Sequence, residues 1–289
     1  MRFAWNGPTS RGRTRVSYIH RIKARRNVLT EGKRMANVDG VRTIKRAIDI
    51  LALLAGASGQ VGVVELSKQL RTSQSTIYRI LSTLVSEGYV RQDSRTDKYT
   101  LGLEGIILAG AALNQLEIRK QAISLLEPLS AATGCNASLA IHHRDVAMYV
   151  ARVDGPKSAR MYTPIGRLAP LHATALGKAI LAHLPHADVM RIVTQRPLAS
   201  CTPHTLTESP AVLRELELTR TRGYAVDQEE FIEGIRCVAV PVRGESGRIE
   251  GALSISGSVF QVRPEDVDRL AGLLQDATYE LSGRLGYIA

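Results

Sequence analysis

Residues 72–100, TSQSTIYRILSTLVSEGYVRQDSRTDKYT, decide how this chain reads. Ile77, Ile80, Leu81, Leu84 and Val85 recur at the spacing of one helical face. The opposite face opens with Thr72, Ser73, Gln74, Ser75 and Thr76 and continues through Tyr78, Arg79, Ser82 and Thr83. Short hydroxyl and amide side chains at a helix N-terminus donate and accept at short reach, as base edges and phosphate oxygens require. Gly88 offers a left-handed stop. Beyond it, Tyr89-Val90-Arg91 and Lys98-Tyr99-Thr100-Leu101 are expected to pair around the tip Asp93-Ser94-Arg95-Thr96. The pattern predicts a recognition helix followed directly by a β-wing that carries Arg95 and Lys98.

Upstream, Ile44, Ala47, Ile48, Leu51 and Leu54 mark an earlier helix, with Thr43 as its expected N-cap. Arg42, beside that cap, joins the residues expected to meet DNA. Gly56–Gln60 reads as a loop, Val64–Leu70 as a short helix, and Arg71-Thr72-Ser73 as the turn into the recognition helix. Together these pieces predict a winged helix-turn-helix over residues 41–102. The competing reading is a three-helix bundle with no DNA role. A purely structural third helix would more often carry Glu/Lys pairs on its solvent face.

The charge supports DNA binding less than it first suggests. The 289 residues carry a formal net charge of +11, but residues 1–34 hold ten Arg or Lys against one Glu, so +9 of it sits there. Residues 41–100 contain nine cations and five acids, a balance of +4 that bears on docking. Residues 1–40 read as a basic, disordered tail able to add non-specific phosphate affinity. An Arg-rich, acid-poor transit peptide, or a true start at Met35, explains the same composition. The length suits about two domains, and no apolar run is long enough for a membrane span. Cys135, Cys201 and Cys237 show no close pairing, which fits a reducing cytoplasm.

Leu103–Leu116 (LEGIILAGAALNQL) reads as an apolar helix with few charges. It is expected to link the domains and pack in a dimer; capping the second domain's core is the other reading. From 117 onward, strands and helices mix. Helices are expected at Glu117–Thr133 (closed by Gly134), Leu171–Leu184 behind Pro170, Ala187–Val193, Ala211–Arg222 and Pro264–Leu285. Strands are expected at Ala137–Ile141, Val146–Val153, Tyr224–Asp227, Cys237–Val242 and Glu250–Ser256, with a short extended piece at Met161–Ile165. Hairpin-linked strands flanked by helices argue an α+β fold with a mainly antiparallel sheet.

Several blocks in order make the chain resemble the IclR family of bacterial transcriptional regulators over about residues 41–287. They are Ile44–Leu51, Ser75–Leu81, Pro170–Ala179, Arg222–Asp227 and Gly234–Val242. The resemblance implies an N-terminal winged helix, a linker helix over 103–116 and a GAF-like effector domain over 117–287. It also implies a homodimer that often assembles into a dimer of dimers. By the same resemblance, Met161, Ala175, Leu176, Asp227, Cys237, Ser254 and Ser256 match positions that line an effector pocket.

The residues themselves bear on that carry-over. A small acid needs helix N-terminal N–H groups, hydroxyls and an apolar wall, and the helix expected to open at Leu171–Thr174 offers the first. Thr174 is then either a ligand contact or a cap. Ser254 and Ser256 alternate on one strand face and need partners, either ligand or backbone. Cys237 is either a ligand contact or a small buried hydrophobe. Asp227 either faces the pocket, where it would carry a proton beside a bound carboxylate, or starts the acidic turn Gln228-Glu229-Glu230. By the resemblance, Leu176 is bulkier than the small residue that family members binding the smallest acids tend to have there, which argues against a two-carbon ligand.

His142, His143, His172, His183, His186 and His204 lack zinc spacing, and no nucleophile–base set is legible. The expectation is therefore a non-enzyme without metal or cofactor. It would be a cytoplasmic, ligand-responsive regulator, a repressor of a catabolic operon, whose partners are double-stranded operator DNA and a small organic or aromatic acid. The rivals are a GAF-fold thiol redox enzyme and a constitutive DNA binder with no effector.

Overall fold

Helix α1 (Asp39–Gly56) begins before Thr43, so Thr43 lies inside the helix and does not cap it. Its buried face runs through Ile50, Leu53 and Leu54, while Ile44 and Ile48 are 63% and 59% exposed. This helix carries more apolar residues than one packed stripe can hold, and the set nearer its C-terminus enters the core. The computed structural model describes residues 39–156, 163–195 and 197–288. The chain splits into two compact units, one ending at Ala111 and the other starting at Ala112. The expected basic tail, up to residue 38, and Met161 lie outside the described residues.

In the first unit, α1 is followed by α2 (Val63–Leu70) and α3 (Gln74–Ser86). Arg71, at φ +51, turns the chain between them. Ile77, Ile80, Leu81 and Leu84 of α3 are buried against Leu66 and the α1 stripe, whereas Val85 is exposed at the end of its row. Gly88, at φ +73, follows the helix and leads into the wing. Strands β1 (Val90–Gln92) and β2 (Tyr99–Leu101) pair antiparallel, with Val90 opposite Leu101. A further bridge between Val61 and Tyr99 ties the wing to the loop before α2. Helix α4 (Glu104–Gln115) runs across the division between the units, and none of its residues is buried.

In the second unit, α5 (Glu117–Thr133) is capped by left-handed Gly134. It leads into strands β3 (Asn136–His143), β4 (Val146–Val153) and β5 (Leu168–Pro170). Helices α6 (Ala175–Leu181), α7 (His186–Thr194) and α8 (Ser209–Arg222) follow. The chain finishes with β6 (Ala225–Gln228), β7 (Ile235–Arg243), β8 (Ile249–Ser258) and α9 (Val267–Arg284), the last entered through a 3₁₀ turn at Pro264–Asp266. The sheet order is β5-β4-β3-β8-β7-β6 with every pairing antiparallel. Side chains alternate across it. Leu139, Val238, Val240, Leu253 and Ile255 pack on α5 and α9; Ala140, Ala239 and Ala252 pack toward α6, α7 and α8.

Two expectations need correction here. The extended piece at Met161–Ile165 is not a strand over its described residues; the edge strand is β5, which pairs with Val146–Met148. The long helix Leu171–Leu184 shrinks to the seven residues of α6. Pro170 belongs to β5, so Leu171–Thr174 must turn between strand and helix. Among the described residues, no helix is long and apolar enough to cross a membrane.

Candidate functional site

The face of α3 opposite its core stripe is open. Gln74, Ser75, Tyr78 and Arg79 are exposed, Tyr78 at 59%. Ser73 is the N-cap: its Oγ accepts the Thr76 N–H at 3.3 Å and lies 2.9 Å from Thr76 Oγ1 and 3.1 Å from Ser75 Oγ. Capping satisfies one of the orphan donors at the helix start. Thr72 holds the turn before it, donating to the Leu70 carbonyl at 3.3 Å and accepting Ser67 Oγ at 2.7 Å through its own carbonyl. Arg42, Arg95 and Lys98 are exposed.

The wing tip is held in place. Asp93 accepts the backbone N–H groups of Arg95 (2.9 Å) and Thr96 (3.1 Å) and the Gln60 amide (2.8 Å), while Thr96 Oγ1 donates back to Gln60 at 2.8 Å. The Gln60 bond foremost, then that to Arg95, holds the Asp93 carboxyl below its usual range. Gln60 is a residue that sequence reading passed over as loop, yet it fixes the strand end from which Arg95 projects.

In the second unit, Thr174, Ala175, Leu176, Asp227, Cys237, Ser254 and Ser256 line one cavity of about 20 Å³. That is room for one or two waters, so a larger guest must displace side chains. Met161 lies outside the described residues. Cross-strand pairing explains the convergence: Asp227 faces Cys237, Cys237 faces Ser256, and Ser254 sits two residues along the same face of β8. Among the described residues, the Ser254 and Ser256 hydroxyls make no hydrogen bond, although both residues are buried. Thr174 acts as the N-cap of α6, accepting the Gly177 N–H at 3.0 Å and donating to the Pro170 carbonyl at 3.0 Å. The helix N-terminus therefore sits at Ala175, not at Leu171.

Asp227 is 2% exposed and accepts the N–H groups of Glu230 (2.7 Å) and Phe231 (3.4 Å). Burial first, then the Glu230 charge, push its carboxyl up to about 7, against the pull of Lys178. Burial and then Asp227 push the Cys237 thiol well above its ordinary range, leaving it protonated. Beneath these groups Lys178, 1% exposed, donates to Glu230 at 2.5 Å and lies 3.6 Å from Glu215. The second Glu230 oxygen is buried without a partner. Thr202 and Thr205 donate to the Glu229 and Glu230 carbonyls at 2.7 and 2.6 Å, fixing the loop that brings Phe231 and Ile232 to the cavity.

Tyr149, Arg152 and Thr163 also line the cavity and escaped the sequence reading. Tyr149 and Arg152 sit three apart on β4, a spacing that alternation assigns to opposite faces. A register shift between Leu139 and Ala140 pairs Ala140 with Tyr149 and Leu139 with Ala151, which leaves Val150 as an extra residue. Such a bulge re-aims the side chains beyond it. Burial pushes the Tyr149 hydroxyl far above its usual range, so it stays a neutral donor.

No group of three or more His, Cys, Asp or Glu able to hold a metal is found among the described residues. The profile described as "Bacterial transcriptional regulator IclR C-terminal" matches residues 110–283, and that described as "IclR helix-turn-helix domain" matches residues 43–94. The chain is 34% identical over 249 residues to the HTH-type transcriptional regulator KdgR of Dickeya chrysanthemi, covering 86% of this chain and 81% of that protein. It is 31% identical over 248 residues to the HTH-type transcriptional repressor AllR of Escherichia coli K12, covering 86% and 91%. The crystal structure of IclR from Thermotoga maritima matches with a TM-score of 0.69 at 31% identity, covering 86% of this chain and 100% of that one. Both of the named relatives are regulators, which sets the thiol-enzyme reading aside. The chain is a DNA-binding transcriptional regulator and belongs to the IclR family.

Proposed function

We propose that the chain is a repressor of a catabolic operon whose hold on operator DNA is set by a small organic or aromatic acid bound in the second unit. The single observation carrying this reading is the cavity whose wall holds two serine hydroxyls without hydrogen-bond partners among the described residues, beside a buried carboxyl. These hydroxyls line the cavity and can donate to or accept from a polar ligand. The AllR repressor, similar along most of its length, supports the polarity.

In this reading residues 41–102 bind DNA, 103–116 link the units and take part in a dimer, and 117–287 bind the effector. The protein acts in the cytoplasm as a homodimer or a dimer of dimers, placing two recognition helices in successive major grooves. Gln74, Ser75, Thr76, Tyr78 and Arg79 contact bases or phosphates. Thr72 and Ser73 set the helix start against the backbone, and Arg42, Arg95 and Lys98 meet phosphates. The effector shifts affinity by binding one of two dimer geometries better than the other.

The test uses the full-length protein and a duplex it selects from a randomised pool. Arg79→Ala is expected to weaken binding at least about tenfold, by analogy with the cost of one lost base or phosphate contact, with the circular dichroism spectrum unchanged. Undiminished binding with an unchanged salt slope overturns the DNA assignment. Release of the duplex by none of a panel of organic acids overturns the effector assignment.

A further inference from the structure

We infer that Arg152 is the anion-holding, specificity-determining residue of the cavity, and that its ligand is a small monocarboxylate bearing a hydroxyl or oxo oxygen toward the Asp227 side. The inference rests on reading the cavity as an effector site.

A bulge in β4 aims Arg152 at the cavity. Without the extra residue at Val150, Arg152 would point between the sheet and α5; with it, Arg152 pairs across from Ser138 on the cavity face. The bulge is itself secured, because Arg119 of α5 donates to the Val150 carbonyl at 3.0 Å. Bulges gather where a side chain must be re-aimed at a site.

The Arg152 side chain is 9% exposed, and among the described residues its partner is Asp154, reached through Nε at 2.5 Å. Asp154 is 72% exposed, so it offers little inside the cavity. The remaining guanidinium N–H groups form a planar fork that matches a carboxylate. These donors are left open toward the cavity that Arg152 lines, and a ligand carboxylate can accept from them.

Arg152 on β4 and Asp227 on β6 line the cavity from opposite ends of the strand order β4-β3-β8-β7-β6. A ligand carboxylate would be repelled from the Asp227 side whenever that group ionises, and attracted to the Arg152 guanidinium. Asp227, held toward its neutral form by burial, has a proton to donate to a hydroxyl or oxo oxygen.

The test titrates the full-length protein calorimetrically with lactate, mandelate, gluconate and 4-hydroxybenzoate, each beside its primary amide. At least one acid is expected to bind, with its amide about thirtyfold weaker or worse, and Arg152→Gln is expected to erase that preference, as when one partner of a buried charge pair is removed. Arg152→Lys keeps the charge but not the fork and covers the case in which Arg152→Gln does not fold. An affinity loss of about tenfold at unchanged melting temperature supports the inference. Unchanged acid affinity in either folded variant overturns the Arg152 assignment. Ser254→Leu, which fills the cavity, separates the two readings: if it abolishes binding that Arg152→Gln leaves intact, the pocket stands and the anchor falls. Binding that Ser254→Leu does not weaken, or no binding by any acid, overturns both.

Discussion

Helices α3 and α6 begin alike and finish in opposite surroundings. Each is opened by a hydroxyl N-cap, Ser73 or Thr174, accepting the N–H three residues on. Helix α3 then buries one stripe and leaves Gln74, Ser75, Tyr78 and Arg79 exposed. In α6 all seven residues are buried, Lys178 included. The same cap therefore serves two designs. On α3 the unburied polar groups remain open to a partner outside the molecule, so function and stability are separable there. On α6 the polar groups are tied into the interior, so changes there act on stability and on the cavity together.

The comparison breaks most visibly at Lys178. Lys178→Met leaves Glu230 buried without its cation and is expected to cost roughly 3–5 kcal/mol, read as a lower urea midpoint. A loss under 1 kcal/mol would mean that water reaches the pair. The next effect has the opposite sign and depends on pH. Asp227 holds its proton more tightly folded than unfolded, with a value of about 7 against an ordinary 3.8. The stability it allows near pH 4 is therefore lost as pH rises to about 7. Asp227→Asn keeps the acceptor for Glu230 and is expected to gain roughly 2–4 kcal/mol at pH 8 and almost nothing at pH 4. A gain equal at both pH values would show that the carboxyl is not desolvated.

The caps come next. Thr174→Ala strands the buried Gly177 N–H and is expected to cost about 2 kcal/mol, whereas Ser73→Ala, at the surface, should cost about 1 or less. Equal costs would erase the distinction between the helices. Smallest of all is the stability effect of Arg79→Ala, expected within about 0.5 kcal/mol beside the expected loss of operator affinity. Unfolding curves of the full chain measure both.

The element types were largely legible because α3, α5 and the β7–β8 hairpin follow strict periods. What escaped depended on surroundings or on breaks in period. Ile44 and Ile48 fit a helical face, but the buried set of α1 is Ile50, Leu53 and Leu54, with Ala47 and Leu51 packed beside it. The apolar run after Pro170 reads as one long helix because its first residues turn over a buried platform: a Cβ on Gly177 would come within 2.6 Å of the Leu171 backbone. Ser254, Ser256, Cys237 and Asp227 were visible through family likeness and strand alternation. Arg152 was not, because one unpaired residue at Val150 reverses its face, and no pattern in β4 announces the bulge.

Alternation in β8 carries a genetic consequence. Leu253 and Ile255 face the dry core, while Ser254 and Ser256 face the cavity. Loss of a single codon upstream in that strand would exchange the two sets, driving hydroxyls into hydrocarbon and leucine into the cavity. The chemistry of this cavity can therefore drift by substitution at every second codon, whereas an insertion or deletion in its floor changes both faces of the strand at once unless a bulge absorbs it.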